Sequence, residues 1–312
     1  MSAGNTRHIL CNLHTDAISS LEYNFGDDEE VCRCRRVNEA WPVQLLHDQS
    51  PWAREHDLEL DYQACHGAGF GDIPDQVRRL DQAKSLDFAF LMIGGNDGGV
   101  APMIENCVGQ FDLGKDYGPE YPDPEGECFK TIRDARARVH SDAFVNGLLS
   151  AVHAILDEPR VRWNTYFKLF VVGYSGLFNH DDIACDGMSF GLWGGKQPKL
   201  TRELRRAINS VIDEGRREYD KQLNSWLSDP RVKFLDANPV LAGHRFCEPT
   251  PGSTMQEMYD NAWLYHLEWP SCIPLSRLDG EASNASEIHA TGFCRNCGGW
   301  AELGDIQRWY GI

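Results

Sequence analysis

A chain of 312 residues with 42% hydrophobic content is long enough to bury the core of one large α/β domain. Its 47 acidic against 30 basic residues leave a formal net charge of -17, which argues against nucleic acid or an anionic membrane surface as partner, because both are repelled. No apolar run is long enough to span a bilayer, and Met1–Thr6 is polar, with too short an apolar stretch behind it for a secretory signal core.

The eleven cysteines point the other way. Most stand in loop-like sequence, which is the pattern of disulfides made in an oxidising compartment. The sequon Asn284-Ala285-Ser286 leans in the same direction. An extracellular protein is therefore expected, with an amino terminus that has been lost or altered. An odd number of cysteines leaves at least one thiol unpaired.

In chain order, His8–Leu13 reads as a first short strand running into the polar turn His14–Ser20. Asn38–His47 reads as a short helix, with Pro42 tolerable only in its first turn. Leu58–Tyr62 alternates like a strand and leads into the Gly-rich turn Ala64–Gly71. Asp72 is placed to cap a helix that turns Ile73, Val77 and Leu80 to one side. Phe88–Ile93 is a continuous apolar run, as expected of a strand buried on both faces. It stops at Gly94-Gly95-Asn96-Asp97-Gly98-Gly99, a turn whose glycines admit a ligand close to the main chain. The Asn96 amide is neutral and can donate hydrogen bonds to a developing oxyanion.

Pro102–Glu127 reads as a long loop between Cys107 and Cys128. Phe129–Leu156 has helical period throughout, and Phe167–Gly173 is a further buried strand. Leu200–Leu227 reads as one amphipathic helix started by Thr201, and Val232–Asp236 as a fifth strand. The pattern then weakens into loops, with a short helix expected near Trp300–Trp309. Five alternations of strand and helix predict a parallel sheet with helices on both faces. The turns at Gly67 and Asn96 would then share one edge of that sheet, where open α/β sheets bind their ligands.

From Cys32 to Cys247 the chain resembles the SGNH (GDSL-type) hydrolases, and within them the secreted, disulfide-bonded esterase and lipase branch. Ala64-Cys65-His66-Gly67-Ala68 with Asp72-Ile73 and Gln76 resembles the block that supplies the glycine donor. Ile93-Gly94-Gly95-Asn96-Asp97 resembles the block that supplies the asparagine donor. Gly173-Tyr174, Cys185-Asp186, Ser189-Phe190 and Leu200–Leu204 resemble the middle of that branch, and Asp236 with Gly243–Pro249 its late loop. The resemblance implies one domain over residues 1–312, with long loops at 101–128, 174–199 and 237–299. Its fold would be a three-layer α/β/α sandwich around a parallel sheet of about five strands, flavodoxin-like. It also implies ester hydrolysis by a Ser–His pair, with the Gly67 N–H and the Asn96 amide among the oxyanion donors. No cofactor or metal would be needed, a monomer is expected, and the substrate would be a small ester, a lipid or an acylated glycan. Cys65 would bond Cys32 or Cys34, Cys107 would bond Cys128, and Cys185 would bond Cys247. A zinc site built from Cys294-Arg295-Asn296-Cys297 and Cys32-Arg33-Cys34 competes with this, but its second half has the wrong spacing.

The chain departs from the family at the nucleophile. No Gly-Asp-Ser is present. Leu13–Ser20 occupies its place, with Asp16 where the serine belongs, and a carboxylate there would oppose an oxyanion. Ser19 and Ser20 are the candidates for a displaced nucleophile. The family's Asp-x-x-His-Pro stretch is matched by Ser286–Ala290, which makes His289 the candidate base, with His244 behind it. One alteration at the amino terminus would account for both the missing leader and the missing motif. The expectation is thus an SGNH-type ester hydrolase, either working through a displaced serine or without turnover. A carbohydrate deacetylase, with Trp193, Trp263, Tyr265 and Trp269 stacking on sugar, is the alternative within the enzyme class. A ligand-binding pseudo-hydrolase is the alternative outside it.

Overall fold

Five parallel strands form the centre of the molecule in the order β2-β1-β3-β4-β5: β1 (Thr6–Leu13), β2 (Asp57–Tyr62), β3 (Phe88–Met92), β4 (Lys168–Gly173) and β5 (Val232–Asp236). The computed structural model describes residues 6–13, 34, 41–46, 48–65, 67–81, 85–110, 115–189, 197–249, 262, 292–294 and 299–301. The chain runs outward from β1 to β2, then crosses to the other side of β1 and continues to β5. This is the doubly wound order whose reversal lies between β1 and β3. The fold is the expected three-layer α/β/α sandwich.

One face of the sheet carries α3 (Ile73–Arg78), α6 (Glu127–Val139), α7 (Asp142–Leu156) and α8 (Arg202–Lys221). Ala89, Leu91, Leu169 and Val171 point into this layer and are buried. The other face presents Phe88, Phe90 and Phe170, whose rings stack with centroids 5.1 and 6.4 Å apart. α1 (Trp41–Leu46) supplies Leu45 to that side, and α2 (Pro51–Glu55) follows it. Expected burial of β3 on both faces is therefore corrected: one face is closed, while the wide Phe rings on the other stay half-buried.

Several boundaries also differ from expectation. Phe129–Leu156 is two helices, because the Ser141 hydroxyl accepts from Phe144 N–H at 3.2 Å and donates to the Arg138 carbonyl at 2.7 Å, ending one helix and starting the next. Part of the loop expected over 101–128 is helical. α4 (Gly95–Gly98) leads into α5 (Val100–Ile104) and a wide turn over Glu105–Gly109, and Pro102 is accommodated in a first turn, where its missing N–H costs nothing. Asp72 does not cap its own helix. Its carboxylate accepts from Gly69 N–H at 2.8 Å. Thr201 does cap α8, accepting from Leu204 N–H at 3.2 Å. Of the helix expected near Trp300–Trp309 only Trp300 and Ala301 are described, and they lie in a strand: β6 (Gly292–Cys294) pairs antiparallel with β7 (Gly299–Ala301), while residues 302–309 lie outside the described residues. Disulfides join Cys34–Cys65, Cys107–Cys128 and Cys185–Cys247, so Cys34 and not Cys32 is the partner of Cys65. Among the described residues no helix is long and apolar enough to cross a membrane, and no cluster of potential metal ligands occurs. Cys32 and Cys297 lie outside the described residues.

α6 and α8 are joined across the surface by Glu214. Its carboxylate accepts from Arg136 Nε at 3.1 Å, from Ser210 Oγ at 2.8 Å, and contacts His140 Nε2 at 2.9 Å. Burial pushes this carboxyl up, but the bonds from Ser210, His140 and Arg136 outweigh it and hold it below its ordinary value. A depressed folded value contributes stability above the unfolded value near 4.5, and that contribution fades as pH falls through the folded value. Urea unfolding of Glu214→Gln should therefore show a clear loss of stability at pH 7 and at pH 5.5. The difference from the parent should shrink steadily below pH 4.5. A difference that stays constant down to pH 3 would contradict this linkage.

Candidate active site

Two glycine-rich turns leave the carboxyl ends of β2 and β3 beside the reversal of strand order. In the first, Ala68 N–H closes a turn onto the Cys65 carbonyl at 3.1 Å. Gly67, its third residue, has φ +78°, a left-handed conformation that costs other residues about 1–2 kcal/mol. The closing bond uses the Ala68 N–H and not that of Gly67. Cys65 is tied to Cys34, which anchors the turn from behind.

In the second turn, Gly94 (φ +97°) and Gly99 (φ +82°) bracket the single helical turn α4. Asn96 lies in it, half-buried. Its Nδ2 donates to the Ala68 carbonyl at 3.0 Å, so the side chain spans the gap between the turns and keeps a second N–H. Asp97 makes the reverse link, its carboxylate accepting from Phe70 N–H at 3.1 and 3.3 Å. Burial pushes the Asp97 carboxyl up, while the Phe70 N–H pulls it down and the charge of Asp72 pushes it up further. Gly69 eases this approach, since a Cβ there would stand a tight 3.0 Å from Asp97 Oδ1.

The turn after β3 is packed from below. Tyr219 of α8 is buried and donates its hydroxyl to the Ile93 carbonyl. Burial, and then the charge of Asp97, push this phenol well above its ordinary range, so it remains a donor. Phe70 meets Phe144 edge-on at 5.2 Å and lies over Gly147, where a Cβ would come within 2.5 Å of the ring. Gly94, Gly95, Tyr174, Arg216 and Tyr219 line a partly open cavity of about 30 Å³, room for a water.

The loops after β4 and β5 form a second rigid unit on the same edge. Phe178 and Phe246 make a parallel bridge, and Cys185–Cys247 lies next to it. The fully buried Arg205 gathers the first loop: its guanidinium donates to the carbonyls of Leu200, Asn179 and Asp182 and to the Asp186 carboxylate. Asn209, one helical turn on, accepts from Leu177 and Phe178 N–H at 3.0 and 3.2 Å. Asn238 holds the second loop to the first, accepting from Gly176 N–H at 3.1 Å and from Arg245 Nη2 at 3.1 Å. His244 lies on the turn after the edge strand β5, its N–H donating to the Leu241 carbonyl at 3.0 Å.

Of the residues predicted for the site, Gly67 and Asn96 are thus brought onto adjoining turns. Ser19, Ser20, Asp16 and His289 lie outside the described residues, as do Trp193, Trp263, Tyr265 and Trp269. Sequence reasoning missed Asp97, Tyr219, Arg205 and Asn209. Arg205 and Asn209 carried a signal: they stand beside Leu204 and Ile208 on the inward stripe of an otherwise amphipathic helix.

No family model matches the sequence, and no curated protein does. Solved structures do. The extracellular lipase from Streptomyces rimosus aligns with a TM-score of 0.55 at 20% identity, over 83% of this chain and 92% of the lipase. Phospholipase A1 from Streptomyces albidoflavus NA297 aligns with a TM-score of 0.57 at 22% identity, over 86% of this chain and 89% of the phospholipase. This chain has the SGNH hydrolase fold. In that fold the turns after β2 and β3 stand at the carboxyl edge, and here they are locked together by Asn96 and Asp97.

The packing of the SGNH scaffold under the second turn can be tested at Gly94. A Cβ there would fall 2.0 Å from the Tyr219 hydroxyl and 2.8 Å from the Phe70 ring. Gly94→Ala should lower the unfolding free energy by roughly 2–5 kcal/mol, through left-handed strain and overpacking together. Tyr219→Phe alone should cost about 1–3 kcal/mol, because it leaves the Ile93 carbonyl unpaired. The double variant should lose less than the sum, since it removes the nearest clashing atom. Strict additivity in denaturant titrations would mean that backbone conformation alone demands the glycine.

Proposed function

We propose that the chain is a carboxylic ester hydrolase that works by acyl transfer. Gly67 N–H and the Asn96 amide bind the oxyanion, Ser19 or Ser20 is the nucleophile and His289 the base. The observation that carries this reading is the bond from Asn96 Nδ2 to the Ala68 carbonyl, 3.0 Å long. It sets a neutral amide with one N–H to spare against the Gly67 turn. That is the composition of an oxyanion hole: donors fixed in advance, without the charge of a lysine or arginine.

In this mechanism the serine hydroxyl adds to the acyl carbon while His289 takes its proton. The carbonyl oxygen becomes an oxyanion on Gly67 and Asn96. His289 returns the proton to the departing alcohol, and a water repeats the sequence to free the acid. The substrate is a small ester, a lipid or an acylated glycan, and the protein is a secreted monomeric domain. Three disulfides among the described residues support an oxidising compartment.

A second reading, a ligand-binding member without turnover, rests on Asp16 in the place of the family's serine. One assay separates the two. With oxidised, folded protein and p-nitrophenyl butyrate, the hydrolase reading expects turnover that is lost in His289→Ala and in one of Ser19→Ala and Ser20→Ala. Asn96→Ala should lower kcat about 10²–10³-fold with little change in KM. A parent without turnover, yet binding the butyrate product, would leave the second reading in place.

A further inference from the structure

We propose that Gln76 is a positioning residue for the hydrolysis proposed above, its amide reserved for the main chain of residues 14–20, which carry Ser19 and Ser20. The inference rests on that reading of the two serines. Gln76 is 2% exposed, yet its Oε1 is buried and accepts no hydrogen bond from a described residue. Other buried polar side chains are satisfied: Asn106 donates to Thr131, Ser175 to Asn238, Asn209 to the Phe178 carbonyl and Gln222 to Glu218. A buried acceptor left unpaired destabilises a fold, whereas an apolar side chain of the same shape does not. Packing alone gives no reason for a glutamine at this place.

Topology restricts what the amide can serve. α3 joins β2 to β3, which flank β1 on either side, so the helix crosses β1. It follows the Gly67 turn at the carboxyl edge and runs back across the sheet. Gln76 is three residues past its start at Ile73, about 5 Å below that edge. Ile73, Gln76 and Val77 form the buried side of the helix, and α7 packs beside it. The ladder of β1 is engaged on both sides, by β2 from Thr6 to Cys11 and by β3 from Ile9 to Leu13. The first main chain beyond that ladder is residues 14–20.

A carboxamide offers an acceptor and two N–H donors at once, so it fixes the direction of a peptide group as well as its place. The helix that carries Gln76 follows the Gly67 turn directly. Main chain bound to Gln76 is therefore set against the same piece of scaffold as the Gly67 N–H, which couples the nucleophile to an oxyanion donor. Misplacement of a reacting group by about 1 Å costs on the order of 10²-fold in rate. At 2% exposure the amide is closed to a substrate, so Gln76 acts through the chain and not on the reacting atoms.

The test compares Gln76→Met, which keeps the length of the side chain without its amide, and Gln76→Ala, which also leaves a cavity. In urea titrations Gln76→Met should match or exceed the midpoint of the parent, while Gln76→Ala falls below it. With p-nitrophenyl butyrate both should lose kcat by about 10–10²-fold at nearly unchanged KM, so that activity does not follow stability. Hydrogen–deuterium exchange gives a readout that needs no turnover. Peptides over residues 12–20 should exchange about fivefold faster in Gln76→Met, with those over residues 88–104 unchanged. A Gln76→Met variant with the kcat of the parent, or with unchanged exchange over residues 12–20, would overturn the proposal. A parent without turnover counts against the hydrolase reading alone, and the exchange data then decide on Gln76.

Discussion

Two hydrogen bonds that cross 27 and 28 residues of chain hold the candidate site together: Phe70 N–H to the Asp97 carboxylate, and the Asn96 amide to the Ala68 carbonyl. Adjacent residues supply both, and they run in opposite senses, one accepting and one donating. Each turn alone is a short glycine-rich segment with little apolar surface of its own. The pair becomes rigid only because each turn satisfies a buried polar group of the other. The remaining packing follows from that demand. Gly69 leaves room for Asp97, since a Cβ there would make a tight 3.0 Å contact with the carboxylate, and Gly94 must be left-handed and bare for Tyr219 to reach the Ile93 carbonyl. Phe70, positioned by the same bond, fills the space over Gly147 and against Phe144.

This arrangement has an electrostatic consequence. In the proposed mechanism Asp97 would stand one residue from the oxyanion donor Asn96, where a carboxylate works against the charge to be bound. Asp97 is constrained on that account: its oxygens are engaged by the Phe70 N–H, and burial raises its carboxyl. Tyr219 is raised too, by burial and then by Asp97 itself, which keeps its proton in place and its hydroxyl a donor to Ile93. The neutral amide of Asn96 is thus flanked by groups whose polarity is already spent within the scaffold. In the proposed mechanism that spending would serve as preorganisation, because nothing would have to reorient when charge develops.

The sheet was legible because its signals are local. β3, β4 and β5 are short apolar runs that end at glycine or aspartate, and their observed limits fall within a residue or two of the expected ones. The cysteine pairs Cys107–Cys128 and Cys185–Cys247 follow the family resemblance. The break at Ser141 was not legible, because hydrophobic period continues across it while the backbone is interrupted by one side-chain bond. Asp72 misled for a related reason. A carboxylate at a helix start usually caps that helix, but here the preceding turn offers the Gly69 N–H first. The roles of Asp97 and Tyr219 depend on partners 27 and 126 residues away, and that of Arg205 on a loop up to 26 residues behind it, which no window of periodicity contains.

The nucleophile is where chain geometry and chemistry meet most sharply. β1 ends at Leu13, which pairs with Met92, so the two strands reach the carboxyl edge of the sheet at the same level. The crevice of a doubly wound sheet opens between those two strands. Asp16 follows the strand end by three residues, and Ser19 and Ser20 follow Asp16 by three and four. Three and four are the spacings that share a helix face. A helical turn begun near Asp16 would therefore carry either serine on the same side as the carboxylate, about 5 Å further along the axis. A working serine would then have to act with a carboxylate as its neighbour, and that charge would raise the energy of the oxyanion unless a cation or a proton met it. In the family's Gly-Asp-Ser the carboxylate also precedes the hydroxyl, but by a single residue, a spacing that does not put the two side chains on one helix face.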